Sequence, residues 1–167
     1  MLLRCTSRLL TTIGGKTKPV LNTAAAASAR DFYANLIWIE GRKCLIVTHA
    51  GTLFSIFTPD VRANDLRPLG RFVVPLIRDA LNSEGLPSNT FGDLVADDVA
   101  LAKTADRSVL GCMNEMAWFS ELAIMDAGNI RLLDVAQLNH QLRRLIFGTL
   151  GPAHPIDLAT AQAASHR

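Results

Sequence analysis

Apolar and polar residues alternate most clearly between Asp31 and Thr58, in DFYANLIWIEGRKCLIVTHAGTLFSIFT, where β-branched and aromatic residues dominate. A period of two with turn residues at short intervals predicts three strands, at 32–39, 43–48 and 52–57. Glu40-Gly41-Arg42 and His49-Ala50-Gly51 join them, each a short loop with a glycine able to take positive φ. The stretch therefore reads as a meander of two linked hairpins. Three strands alone are marginal in water and leave an apolar face bare, so helices elsewhere in the chain must cover it.

After Pro59-Asp60 the period lengthens. Leu66, Leu69, Phe72, Val73, Leu76, Ile77, Ala80 and Leu81 recur at three and four residues, which predicts a helix over 65–84. Asn64 or Asp65 would cap its start and Gly85 its end, while Pro75 predicts a kink or a later start. Residues 86–98 read as a loop with a turn, and 99–104 as a further short strand. A second helix is expected over 108–127, capped by Asp106 or Ser108 and ended by Gly128, with Val109, Met113, Met116, Ala117, Ser120 and Ile124 on one face. A third, over 134–147, places Val135, Leu138, Leu142, Leu145 and Ile146 inward and Gln137, Gln141, Arg143 and Arg144 outward. At the start of the chain, residues 2–6 read as a strand, and Ser7 can cap a short helix through Leu9, Leu10 and Ile13 that stops at Gly14-Gly15. A last short helix should begin near Pro155, because proline is well tolerated at the first helical position. The fold class expected is α+β: an antiparallel sheet of four to five strands, its centre the meander, covered on one side by about three helices. Residues 1–155 form one domain in this reading, with 16–30 a loop or connector and 156–167 a short helix and frayed tail.

Composition narrows the field. With 167 residues, 49% of them hydrophobic, the chain can bury a substantial core, and a net charge of +2 is too small to demand nucleic acid or an anionic membrane. Five basic residues and no acid fall in the first thirty positions, against twelve basic and fifteen acidic residues in the remainder. That leading segment has two readings, an organelle transit peptide or part of the folded domain. Cys5, Cys44 and Cys112 are odd in number and without CxxC spacing, which argues against a disulfide framework or a zinc knuckle and suits a reducing cytoplasm. No apolar run approaches the roughly 20 residues of a membrane span.

Chemistry is harder to find. Gly15-Lys16-Thr17 ends like a phosphate-binding loop, but Leu10 stands where the pattern needs glycine. Cys44 and His49 would suit a thiol and its base, yet an odd separation along a strand sends them to opposite faces. His49, His140, His154 and His166 show no metal-binding spacing. Asp93, Asp97 and Asp98, with Asp106, are the acids that could hold a cation, though a solvated loop is their commoner meaning. The sharper group is Lys103, Thr104, Asp106, Arg107, Ser108 and Asn114 around a strand-to-helix turn, where donors beside a helix N-terminus suit an anion. Arg4, Arg42 and Lys43 from neighbouring strands would extend it. The candidate binding residues are thus Arg4, Arg42, Lys43, Lys103, Arg107, Ser108 and Asn114, with no catalytic residue, metal or cofactor assigned. Of the aromatics, Phe32 and Trp38 share one face of their strand and Tyr33 takes the other.

The strings MLLRCT, RKCLIVTHAGTLFS and RSVLGCMN, with LNSEG and LNHQLRR between and beyond them, resemble a family of small bacterial proteins known only as a domain of unknown function. The resemblance implies a bacterial cytoplasmic protein whose first residues form a strand, and it carries no activity, substrate or site. Three functions remain open. The first choice is a non-enzymatic binding or protein-interaction module working through an exposed apolar face. A nucleic-acid-binding accessory protein is the alternative, and a small enzyme with a dispersed polar site around 103–114 is the third.

Overall fold

A computed structural model of the chain describes residues 1–14, 21–22 and 24–165. Gly15-Lys16-Thr17, a part of the expected connector and the tail beyond Ser165 lie outside the described residues. In chain order the elements are β1 (Leu2–Cys5), α1 (Ser7–Gly14), β2 (Phe32–Ile39), β3 (Arg42–His49), β4 (Ser55–Thr58), α2 (Leu69–Ser83), β5 (Ala100–Lys103), α3 (Arg107–Ala127), α4 (Val135–Leu142) and α5 (Pro155–Ser165), with one 3₁₀ turn at Gly148–Leu150.

The five strands form one sheet in the order β4-β3-β2-β1-β5. The meander is antiparallel as expected, with Ile39 opposite Arg42 and Val47 opposite Ile56. The sheet as a whole is not. β1 runs parallel to both β2 and β5, with Cys5 opposite Ala34 on one side and Lys103 on the other. The reason is connectivity: a parallel neighbour needs a long crossover, and the stretches between β1 and β2 and between β4 and β5 are long enough to supply one. The hairpin periodicity that betrays the meander carries no information about those two pairings.

Helices cover both faces of the sheet rather than one, and among the described residues there are five of them. Leu3, Cys5, Phe32, Ala34, Leu36, Leu45 and Val47 point to one face, into a core shared with α1, α2 and α5. Tyr33, Ile39, Cys44, Ile46 and Phe57 point to the other, against Met113, Met116 and Ile124 of α3 and Leu138 and Leu142 of α4. This explains why β3 is buried without interruption from Cys44 to His49, since a strand covered on both faces loses the polar half of its alternation.

The boundaries follow local chemistry. β4 starts at Ser55 because Leu53 adopts φ 55° in the turn, where its N–H reaches His49 O at 2.8 Å. α2 starts at Leu69, later than Asn64, because Pro68 holds an extended backbone just before it. It runs on through an exposed Pro75, and it ends as expected at Gly85, where the N–H groups of Gly85 and Leu86 return to Asn82 O and Leu81 O. Gly70 sits where α2 crosses the chain before β5, and a Cβ there would press on Ala96 O and Val99 Cγ2. Asp106 caps α3 by accepting from Ser108 N and Val109 N. α4 is shorter than expected, ending at Leu142; Ile146 is exposed and Arg143 buried, the reverse of the periodicity reading. Among the described residues no helix is long and apolar enough to cross a membrane.

Candidate functional site

β1 and β5 are parallel neighbours whose following helices leave toward opposite faces, α1 to one and α3 to the other. Open sheets place ligand crevices outside the carboxyl ends of such strands. Lys103, Arg107 and Ser108 are exposed there. Asp106 is committed to the cap of α3, and its own N–H donates to Tyr33 Oη at 3.2 Å.

Arg4 belongs to the same strands but faces inward. It is 2% exposed, its Nε lies 2.6 Å from Asp31, and its guanidinium also donates to the carbonyls of Lys103, Ala25 and Ala26. Each of its three nitrogens donates to a carbonyl or carboxylate, so Arg4 ties the alanine-rich segment to the sheet. Arg42 and Lys43 start β3, beside the far end of β2, and Arg42 pairs with Asp60 at 2.6 Å. The seven candidates are therefore spread over four places. Lys103, Arg107 and Ser108 are exposed around the carboxyl end of β5 and the start of α3, Arg42 and Lys43 lie at the hairpin, Asn114 stands on the outer face of α3, and Arg4 is interior.

At the hairpin, Trp38 is 40% exposed, with the Arg8 guanidinium 5.2 Å and the Lys43 ammonium 5.7 Å from its ring centre. Neither cation makes an ion pair with an acid among the described residues.

The outer face of α3 is the least expected surface. Arg107, Gly111, Asn114, Trp118, Glu121 and Met125 are all exposed, and their spacing places them along one stripe. Trp118 is 63% and Met125 72% exposed, and Leu132 follows beyond the helix end at 68%. Gly111 has open space where a Cβ would stand. The helix thus buries Val109, Met113, Met116 and Ile124 on one side and offers Trp118 and Met125, among polar neighbours, to solvent on the other.

A third surface is a cleft of about 570 Å³ between α2, β4 and α4. Asn139 is buried at its base, its side-chain oxygen accepting from Phe57 N at 2.6 Å and its amide donating to Phe57 O at 2.9 Å. Arg143 Nε donates to Ser55 O at 3.1 Å, and its guanidinium lies 4.8 Å from the Phe54 ring centre. Together these two side chains occupy the outer edge of β4, which would otherwise present unpaired backbone groups. Glu84 neutralises the buried arginine at 2.7 Å and also bonds Arg144 at 2.7 Å. Burial pushes the Glu84 carboxyl up, but hydrogen bonds from Arg144 and Arg143 outweigh it and the net direction is down. Glu84, Arg143 and Arg144 are therefore already satisfied by one another.

The titratable groups of the interior do not form a reactive set. His49 lies on the α2 side of the sheet, stacked at 4.2 Å on Phe91, its Nδ1 3.0 Å from Thr52 Oγ1, and burial lowers its pKa to about 4. Cys44 faces the α3 side, so the two are on opposite faces, as their spacing requires. Burial raises the thiols of Cys5, to about 12, and of Cys44 and Cys112, which disfavours the thiolate. Among the described residues no group of three His, Cys, Asp or Glu side chains is placed to hold a metal ion.

The family model described as Domain of unknown function (DUF6933) matches residues 2–158. The chain belongs to this family. The match begins at Leu2, so β1 is part of the shared domain, in keeping with the resemblance of the MLLRCT, RKCLIVTHAGTLFS and RSVLGCMN strings. No curated protein matches the chain. Sequence reasoning found Asn114 and Arg107 but passed over Trp118 and Met125 on the same stripe. The signal was available in Gly111, Trp118 and Met125 at seven-residue intervals on the polar side of the helix.

Proposed function

We propose that this protein is a non-enzymatic binding module of the bacterial cytoplasm that docks a partner protein through the outer stripe of α3. The observation that carries the reading is the exposure of Trp118 and Met125 on a helix whose inner face is already packed. Large apolar side chains grouped on one exposed face mark interaction surfaces, and tryptophan is among the commonest anchors of such interfaces. Three free, buried cysteines suit the reducing compartment. The test is photo-cross-linking in producing cells, with a benzophenone side chain replacing Trp118 or, as control, exposed Thr160 on α5. Adducts from position 118 and not from 160 are expected. Equal yields at both positions would refute the assignment.

A second reading, nucleic-acid binding, has its own support in Trp38 flanked by Arg8 and Lys43, an aromatic surface with two cations that have no acid partner among the described residues. It predicts that labelled single-stranded DNA or RNA binds at about 50 mM salt, weakens steeply as salt rises, and is lost in Arg8→Glu/Lys43→Glu. Absence of binding at low salt removes it.

A further inference from the structure

The cleft between α2, β4 and α4 carries acids that its own cations do not pair. Leu76, Asp79, Ala80, Ser83 and Glu84 recur at three and four residues, so one face of α2 forms a continuous wall. At one end of that wall Glu84 ties α2 to Arg143 and Arg144, with His140 Nδ1 3.4 Å from the same carboxylate. Asp79 stands five residues back from this bridge, roughly 7.5 Å along the helix at 1.5 Å per residue. It is exposed, and it has no hydrogen-bond or ion-pair partner among the described residues. On the other wall, Arg143 meets Ser55 and Asn139 meets Phe57, so α4 runs against β4 and its cap, Asp134, comes out toward Thr58. One oxygen of Asp134 accepts from Gln137 N at 2.9 Å, and no cation among the described residues pairs with it. Half-buried Leu76 and Val135 supply apolar surface between the two acids.

We infer that this cleft binds a small aliphatic amine, its ammonium groups held by Asp79 and Asp134 and its methylene chain lying on Leu76 and Val135. Charge selects that class. An anion would face two carboxylates without counter-ions, because Arg143, the arginine that lines the cleft, is already held by Glu84. A neutral apolar molecule would cover both carboxylates without replacing their water, which costs free energy. An extended peptide cannot add to β4 as a further strand, since Phe57 N, Phe57 O and Ser55 O are taken by Asn139 and Arg143. The volume of about 570 Å³ is that of a small-molecule site. Both carboxylates stay in contact with water, so binding is weak, with a dissociation constant on the order of 1 mM.

Backbone amide shifts of the isotope-labelled full chain, followed at low salt and constant pH, test the site with four probes. These are cadaverine, pentylamine, pentanediol and N-acetyl-lysine methylamide, each taken to about 20 mM, well above the expected dissociation constant. Cadaverine should move the amides of Thr58, of Leu76 to Ala80 and of Asp134 to Gln137. Pentylamine, with one charge, should bind about threefold more weakly, and pentanediol should leave these amides in place. Asp79→Asn and Asp134→Asn should each weaken cadaverine binding about three- to fivefold. Both positions are exposed, and asparagine still caps α4, so the fold is kept. Glu121→Gln, which removes an exposed acid on α3, should change nothing. An equal response to pentanediol, or cleft shifts undiminished in Asp79→Asn/Asp134→Asn, would overturn the role of the two acids. Absence of cleft shifts at the highest cadaverine concentration would overturn the site. Tighter binding of the lysine derivative than of cadaverine would overturn the free amine as occupant and give the cleft to a basic side chain of a protein partner.

Discussion

Asn139 offers a direct measure of how the sheet edge is closed. Its amide exchanges two hydrogen bonds with the backbone of Phe57, at 2.6 and 2.9 Å, and the residue is 9% exposed. Asn139→Leu keeps nearly the same volume and removes both bonds, leaving one buried N–H and one buried C=O of β4 unpaired. At about 1–3 kcal/mol for each orphaned group, the expected loss is about 3 kcal/mol, allowing for some rescue by water entering the cleft. For a chain of this length that lowers the melting temperature by roughly 6–12 °C. Urea unfolding followed by circular dichroism reads the change, with unaltered m-value as the sign that the denatured state is untouched. Gln137→Ala, two residues away on the same helix and exposed, should cost under about 0.5 kcal/mol. An Asn139→Leu loss no larger than that control would refute the idea that this side chain closes the edge.

Other perturbations probe other parts of the account. His49 is held near pKa 4 in the fold against an ordinary 6.5, so the unfolded chain takes up a proton first as pH falls. Stability should therefore drop between pH 6.5 and 4, by about 3 kcal/mol in all, and His49→Phe should flatten that slope in urea titrations across the range. Glu84→Gln leaves the Arg143 guanidinium buried without its counter-charge and should cost about 3–5 kcal/mol by the same unfolding assay. Gly70→Ala forces a methyl against Ala96 O and against Val99 Cγ2 at 2.8 Å, so it should lower the melting temperature in calorimetry by several degrees despite alanine's higher helix propensity.

How much of this is legible in the sequence depends on whether a residue's role is local. The bounds expected for β2 match to the residue, and those for α3 to within one, because period-two and period-three-to-four patterns, the Asp106 cap and the Gly128 stop all act over a few residues. Pairing direction is not local, so the parallel placement of β1 beside β2 and β5 escapes a reading built on hairpins. The same limit hides the buried roles of Arg4 and Arg143. Each looks like a surface cation in sequence, and its partners, Asp31 and Glu84, stand 27 and 59 residues away. At the candidate site, Arg107 and Asn114 are visible as polar groups near a helix start. Trp118 and Met125 are not, because an aromatic inside an amphipathic helix is normally counted as core until the packing of the other face is known.

The claim that α3 carries the docking face is tested most directly by hydroxyl-radical footprinting of Trp118 and Met125, comparing dilute purified protein with the protein inside producing cells. The stripe should be reactive when dilute, given its 63% and 72% exposures, and protected in cells, while Trp38, on another surface, keeps its reactivity. Equal oxidation of Trp118 and Met125 in both settings would mean that nothing covers the stripe, and would contradict the account.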